Sequence, residues 1–246
     1  MGLRSHSANL PIIGAVTQHT GTPFLIAKEC VELGLRASAI IFRNVHIEAA
    51  SASLSAAIAK EVEAARIKVA DPKALRALPE VAAFRELLRK VGVNPRKEQP
   101  SVERLLSYAL KRGDLPSVNN LVDAYNLVSI RSLCSMGAHD LDAITLPVEL
   151  RLLSGDESFT PLGSVTPASI TPGEYGYVDA GKRVLCRLDI LQADFSKVTA
   201  KTVNAFVIIE STTAHSPAAT RSAFSDVTEL IQHHCGGTAE RIALAY

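Results

Sequence analysis

An α+β fold is predicted by three observations. Apolar residues at helical spacing dominate the chain from residue 51 to about 130, and short β-branched runs dominate after it. One of those runs, Ala205–Glu210, is almost continuously apolar between polar flanks, which suits a strand buried on both faces. Helices followed by strands, rather than alternating with them, argue α+β over α/β. With 246 residues and 47% hydrophobic content the chain can bury a substantial core. No internal repeat or linker divides it, so one domain over residues 37–246 is expected, preceded by an N-terminal extension over residues 1–36.

The elements follow in order. Leu10–Val16 reads as a strand and Pro23–Leu33 as a short helix ending near Gly34. Ala37–Ile47 is β-branched and reads as a strand. Ser51–Val69 is a helix: Ser51 or Ser53 can cap it, and Leu54, Ile58, Val62 and Ala65 step along one face. Pro79 opens a second helix, with Val81, Phe84, Leu88 and Val91 inward and Gly92 to stop it. Ser101 is placed to cap a third, which ends at Lys111, Arg112 and Gly113, cations suited to a helix C-terminus. Val148–Leu153, Glu174–Val178 and Arg183–Leu188 are strands, the last two joined across Asp179-Ala180-Gly181. Ser216-Pro217 starts a final helix that Gly236-Gly237 ends, and Arg241–Tyr246 reads as a terminal strand.

The helix opening at Pro116-Ser117 is the most informative. Leu121, Tyr125 and Val128 form an apolar stripe, and Asn119, Asp123 and Asn126 repeat the same spacing as a polar row. Short Asn and Asp side chains compete for backbone hydrogen bonds and are poor helix formers, so their presence implies fixed partners. Such a row either pins neighbouring loops or lines a ligand site. After it, Gly137–Asp140 reads as a loop that sets the His139 imidazole beside a carboxylate. Glu210 ends a buried strand, where a carboxylate is costly unless it meets a cation or several donors.

These residues carry a resemblance. NNLVDAYNLVSIRSLCSMGAHDLDAI resembles the helix and following segment of the B3/B4 domain of the phenylalanyl-tRNA synthetase beta subunit, with Asn120, Val122, Asp123, Asn126, Asp140, Leu141 and Asp142 matching its motif. Free-standing B3/B4-domain proteins are similar over more of the chain. They match at Phe84, Gly92, Pro95, Ser101, Glu103 and Leu105, and again at Gly163, Gly173, Glu174 and Arg187. The resemblance covers roughly Ala37 to Cys235. It implies helices packed around a mostly antiparallel, sandwich-like β core. It also implies an editing site that hydrolyses wrongly charged aminoacyl-tRNA, in which Glu210 stands where the family's glutamate recognises the amino acid. Gly137 occupies the position of the family histidine, while His139 stands where the family has Phe. Family members often have Asn and Arg near the positions of Asp189 and Gln192, a second departure. A similar domain in tRNA-lysidine synthetases serves tRNA binding.

Other chemistries find little support. No G-x-x-x-x-G-K-[ST], G-x-G-x-x-G or G-x-S-x-G occurs. His233-His234-Cys235 lacks a second ligand cluster at zinc spacing, so no metal site is expected, and no cofactor is expected either. Cys30, Cys134, Cys186 and Cys235 are dispersed, as expected of reduced thiols in a cytoplasmic protein. No run of about 18 apolar residues exists, so no membrane span is expected. The N-terminus lacks the apolar run and basic residues of a convincing signal peptide. The net charge of +1 gives no overall pull toward nucleic acid, and no DNA or membrane partner is expected. From Lys73 to Arg112, however, ten Lys/Arg face four Asp/Glu, a local difference of +6. That surplus is a candidate RNA-backbone surface, represented by Arg85, Arg89, Arg96 and Lys97.

The expected site is therefore a pocket for the acylated 3′ end of a tRNA. Glu210 would hold the amino group, His139 or Asn126 would position water, and Asp123 would orient the network. Asn119, Asn120, Gly137, Asp140, Glu174 and Arg187 would complete the lining. A non-catalytic tRNA or aminoacyl-ligand binding module is the alternative.

Overall fold

The computed structural model describes residues 22–69 and 71–242. The strand expected at Leu10–Val16 and the last four residues of the terminal strand lie outside them. A short strand β1 (Phe24–Ile26) leads into helix α1 (Lys28–Leu33), where the sequence predicts helix throughout. Gly34 ends α1 at φ 106°, a left-handed conformation that glycine adopts without strain. Strand β2 (Leu35–Arg43) is followed by α2 (Ala52–Lys68), α3 (Pro72–Ala77), α4 (Pro79–Lys90), α5 (Ser101–Arg112) and α6 (Asn120–Ser132). Then come β3 (Ser135–Asp140), β4 (Val148–Leu152), β5 (Tyr175–Asp179), β6 (Val184–Arg187), β7 (Leu191–Gln192), β8 (Ala205–Thr212), α7 (Pro217–Cys235) and β9 (Thr238–Ile242).

Helix starts follow side-chain chemistry, with two corrections. Ser51 caps α2 through Leu54 N–H, and Ser216 caps α7 through Ala219 N–H, as the sequence predicts. Helix α6 does not begin at Pro116-Ser117. Asn119 is its cap, accepting from Val122 N–H at 2.9 Å. Ser101 is the first residue of α5 rather than its cap, because its hydroxyl pairs with that of Ser135 at 2.7 Å.

The strands form two sheets. One has the order β1-β4-β5-β6-β7, antiparallel except for the parallel β1–β4 pair, and the other is antiparallel with the order β3-β8-β2-β9. They face each other. The Phe24 ring of β1 lies 6.1 Å from that of Phe206 on β8, and the Tyr177 hydroxyl of β5 donates to Glu210 on β8. Helices cover the other side of the four-stranded sheet, with α4 against β8 and α7 against β9. Sandwiched in this way, all eight residues of β8 are buried, which explains its apolar sequence. Gly137–Asp140, expected as a loop, is part of β3, paired along β8. The described part of the segment before residue 37 adds β1 and the first two residues of β2 to the sheets. Among the described residues no helix is long and apolar enough to cross a membrane.

Candidate functional site

Strand pleating positions the site. On β3, Ser135, Gly137 and His139 alternate onto one face, and opposite them on β8 lie Glu210, Ile208 and Phe206. That face looks toward Tyr177 and Cys186 of the other sheet. Between the sheets lies a cavity of about 320 Å³ bounded by Glu210, His139, Gly137, Tyr177, Asp189 and Gln192, with Arg104 and Leu162 among its lining. Exposure grades along it: Glu210 and His139 are 2% exposed and Asp189 7%, whereas Arg104 is exposed and Leu162 50% exposed. The acids and the imidazole are therefore the floor, and Arg104 and Leu162 the rim.

Asp189 follows Leu188, whose φ of 55° turns the chain after β6. Its Oδ2 accepts from the backbone N–H of Ser101 at 3.1 Å. Its Oδ1 has no partner among the described residues, and neither does Oε1 of Glu210. The other Glu210 oxygen accepts from Tyr177. Burial pushes the Asp189 carboxyl up to about 6, against the pull of the Ser101 bond. Burial, and then the nearby Asp189 charge, hold Glu210 well above the usual carboxylate range, with the Tyr177 hydroxyl working the other way. Both shifts favour the protonated carboxyl, so the pair titrates as a unit and carries less negative charge than two exposed acids would. His139 has Nδ1 2.9 Å from the Ser196 hydroxyl, and burial pushes its pKa down to about 3, so the imidazole is neutral.

The polar row of α6 is elsewhere. Asn120 donates to the carbonyls of His46 and His234, both at 2.9 Å, and accepts from Glu48 N–H at 3.1 Å. Asp123 accepts from the Ser117 hydroxyl and Val118 N–H, both at 2.8 Å. Asn119 is the helix cap. These three pin loops and do not line the cavity, because their polar atoms are engaged locally, mostly with backbone. Asn126 lines an adjoining cavity, also about 320 Å³, which shares Ser101, Arg104, Tyr125 and Met136 with the first. Asp140 accepts from the Thr202 hydroxyl at 2.7 Å and does not line the cavity either. Glu174 and Glu98 both bind Arg187, joining β6 to the turn after α4 instead of lining the cavity.

Of the expected RNA-facing cations, Arg85 is 8% exposed and bound to both oxygens of Glu103 and to the Pro95 carbonyl, so it cannot meet a phosphate. Arg89 is exposed and paired with Glu86, while Arg96 and Lys97 are exposed on the turn that Glu98 ties to Arg187. Among the described residues no group of three His, Cys, Asp or Glu could hold a metal ion. The four cysteines, all among the described residues, are free thiols.

Sequence reasoning singled out Glu210, His139 and Gly137 and missed Asp189, Tyr177, Arg104 and Ser101. The available signals for Asp189 were an acid in the mostly apolar segment Val184–Leu191 and its place near a position where the family that the sequence resembles often has Asn. Nothing local marks Arg104, because only tertiary packing brings α5 to the cavity rim.

The family model of the B3/4 domain matches residues 83–236, well over half of the chain. The chain belongs to the B3/4 domain family. Every cavity residue named above falls within the matched span, so the cavity lies in the B3/4 part of this chain. This B3/4 chain is also similar to a solved N-terminal fragment of the phenylalanyl-tRNA synthetase beta-subunit from Pyrococcus horikoshii, with 12% identity and a TM-score of 0.45. The match covers 92% of this chain and 52% of the fragment, so the chain spans about half of it. Comparison with curated proteins finds no match.

Proposed function

We propose that this B3/4 domain binds the acylated 3′ end of a tRNA and hydrolyses the ester of a wrongly attached amino acid. The observation that carries the reading is Glu210: buried between two sheets, at the floor of a cavity, with one carboxyl oxygen that has no partner among the described residues. A buried polar group without a partner costs about 1–3 kcal/mol, and a ligand donor removes that cost. A cavity of about 320 Å³ is at the small end of ligand sites and suits an aminoacyl group better than a nucleotide. The tRNA itself would remain outside, against Arg96, Lys97 and the exposed Arg104.

The chemistry needs little machinery. Water attacks the ester carbonyl, the acyl C–O bond breaks, and the terminal ribose leaves as an alcohol that takes up the proton. His139, neutral and paired at Nδ1 with the Ser196 hydroxyl, would orient that water rather than take its proton, because burial leaves the imidazole a weak base. Free thiols fit a substrate met in a reducing, cytoplasmic setting.

The test is a panel of mischarged tRNAs, scored for release of each amino acid. Wild type is expected to release at least one, and Glu210→Gln to release none while remaining folded. Failure of the wild type across the whole panel overturns the hydrolytic reading.

A second reading, binding without turnover, is favoured by Gly137. Here, where the family it resembles has its histidine, a Cβ would meet nothing within 4 Å, so the space for a catalytic side chain is present and unfilled. Tight binding of aminoacyl-tRNA without release of its amino acid, weakened steeply by salt, selects this reading.

A further inference from the structure

Two residues that line the same cavity, Asp189 and Glu210, each hold one buried carboxyl oxygen with no partner among the described residues, Oδ1 and Oε1 respectively. Asp189 comes from the turn between β6 and β7, and Glu210 from β8 of the facing sheet. The two are 7% and 2% exposed, and among the described residues no lysine lines the space. The arginine in the lining, Arg104, is at the rim and donates to the Ile190 carbonyl at 2.9 Å. Ile190, Leu191, Ile208 and Met136 are apolar members of the same lining.

A ligand that satisfies this floor needs at least two donors on one small group, and a positive charge. A hydroxyl supplies one donor and no charge. An amide supplies two donors and no charge. A primary ammonium supplies three donors and a positive charge for two carboxyl groups, and it is more compact than a planar guanidinium. We propose that Asp189 and Glu210 together form the receptor for a free α-ammonium group, and that Asp189 makes the cavity select aminoacyl esters with a free amine against N-acylated ones. An acyl group on that nitrogen removes the charge, leaves a single N–H, and adds bulk where the floor is closed. The proposal rests on the reading of this cavity as an aminoacyl site, and its test separates the two.

The probes are hydrolysis-resistant and need no tRNA: L-alaninamide, L-phenylalaninamide and their N-acetyl derivatives, titrated calorimetrically into the full chain. Wild type is expected to bind a free-amine probe at least about tenfold more tightly than its N-acetyl partner, as loss of a charge-assisted bond implies. Asp189→Asn, which keeps an acceptor for Ser101 N–H, is expected to erase that preference; Glu210→Gln serves as the second variant. Thermal melts of both variants establish that they are folded. Equal binding of free and acetylated probes, a preference that survives Asp189→Asn in a folded protein, or no binding of any probe overturns the proposal. Free-amine selectivity with no release from any mischarged tRNA sinks the hydrolytic function and leaves this inference standing. Release of N-acetylaminoacyl groups as fast as free ones does the reverse.

Discussion

Two sets of buried polar side chains in this protein differ in how completely they are hydrogen-bonded. On α6, Asn119, Asn120 and Asp123 are satisfied, mostly by backbone groups of neighbouring segments. At the cavity floor, Asp189 and Glu210 each keep one oxygen without a partner among the described residues. The first set contributes to folding directly, since it anchors the segments around His46 and Ser117 and the last turn of α7 at His234. The second set costs folding free energy, which is tolerable where a ligand supplies the missing donors. Burial alone does not distinguish scaffold from site here; the number of unmet partners does.

The sharpest way to break this comparison is Asn120→Ala. It leaves the carbonyls of His46 and His234 and the N–H of Glu48 without their partner inside the protein. A loss of about 3–5 kcal/mol is expected in urea unfolding, at the upper end for a point change because several buried groups are orphaned together. Asn120→Asp should fail almost as badly, since a carboxylate cannot donate to two carbonyls. A loss below about 1 kcal/mol would show that water replaces Asn120 easily.

The opposite sign is expected at the floor. Asp189→Asn should stabilise the free protein at pH 7.5 by about 1–3 kcal/mol, because a buried carboxyl pushed up to about 6 from its ordinary value of 3.8 carries that order of penalty when ionised. The pH dependence follows. A raised folded pKa favours the native state while the group is protonated, and that advantage is lost as pH rises from about 4 through about 6. The gain from Asp189→Asn should therefore be small at pH 4 and largest above pH 7. His139 runs the other way: pushed down to about 3, it resists protonation in the fold, so stability falls as pH drops from the ordinary histidine value of 6.5 toward 3. Urea titrations of wild type and Asp189→Asn at several pH values separate the two, and a pH-independent difference would contradict the burial argument.

What the sequence made legible follows the same division. Nearly every long helix and strand was legible because its apolar periodicity was undisturbed, and α2 and α7 even revealed their serine caps. Glu210 stood out as an acid closing an apolar run, which reads equally as a site group or an ordinary strand-end charge in solvent; β8 runs on to Thr212 and buries it, which only the facing sheet decides. The role of the α6 row was not legible, since a structural network and a ligand-lining row use the same residue types. Helix α3 was missed because six residues carry too little periodicity to register. Asp189 was legible only as an oddity, because its partner acid lies on the facing sheet and no local pattern records that pairing.

Gly137 tests the comparison from the side of catalysis. The position is an unstrained strand residue whose Cβ direction opens into free space, so Gly137→His should fold with a stability change within about 0.5 kcal/mol. A second imidazole in the cavity, less deeply buried than His139, should raise hydrolysis of a susceptible aminoacyl-tRNA by roughly tenfold or more, within the usual reach of general acid–base groups. Unchanged turnover in a folded variant would mean that the ester carbonyl does not pass Gly137.

The smallest expected effects on function belong to the cations, where partnering again decides the outcome. Arg85 is bound to Glu103 and Pro95, so Arg85→Ala leaves a carboxylate uncompensated in the interior and should cost stability of about 3 kcal/mol. It should not alter the salt dependence of RNA binding. Arg96 and Lys97 have no ion-pair partner among the described residues and are exposed, so their joint reversal to Glu should leave unfolding nearly unchanged. If this turn meets phosphates, the reversal should weaken tRNA binding severalfold at low salt. It should also flatten the plot of log affinity against log salt by about 0.7 for each phosphate no longer neutralised. The flattening is the decisive readout, because a local distortion of the turn would lower affinity without changing the slope. An unchanged slope would move the RNA path away from the α4–α5 turn, leaving exposed Arg104 at the cavity rim as the cation nearest the acylated end.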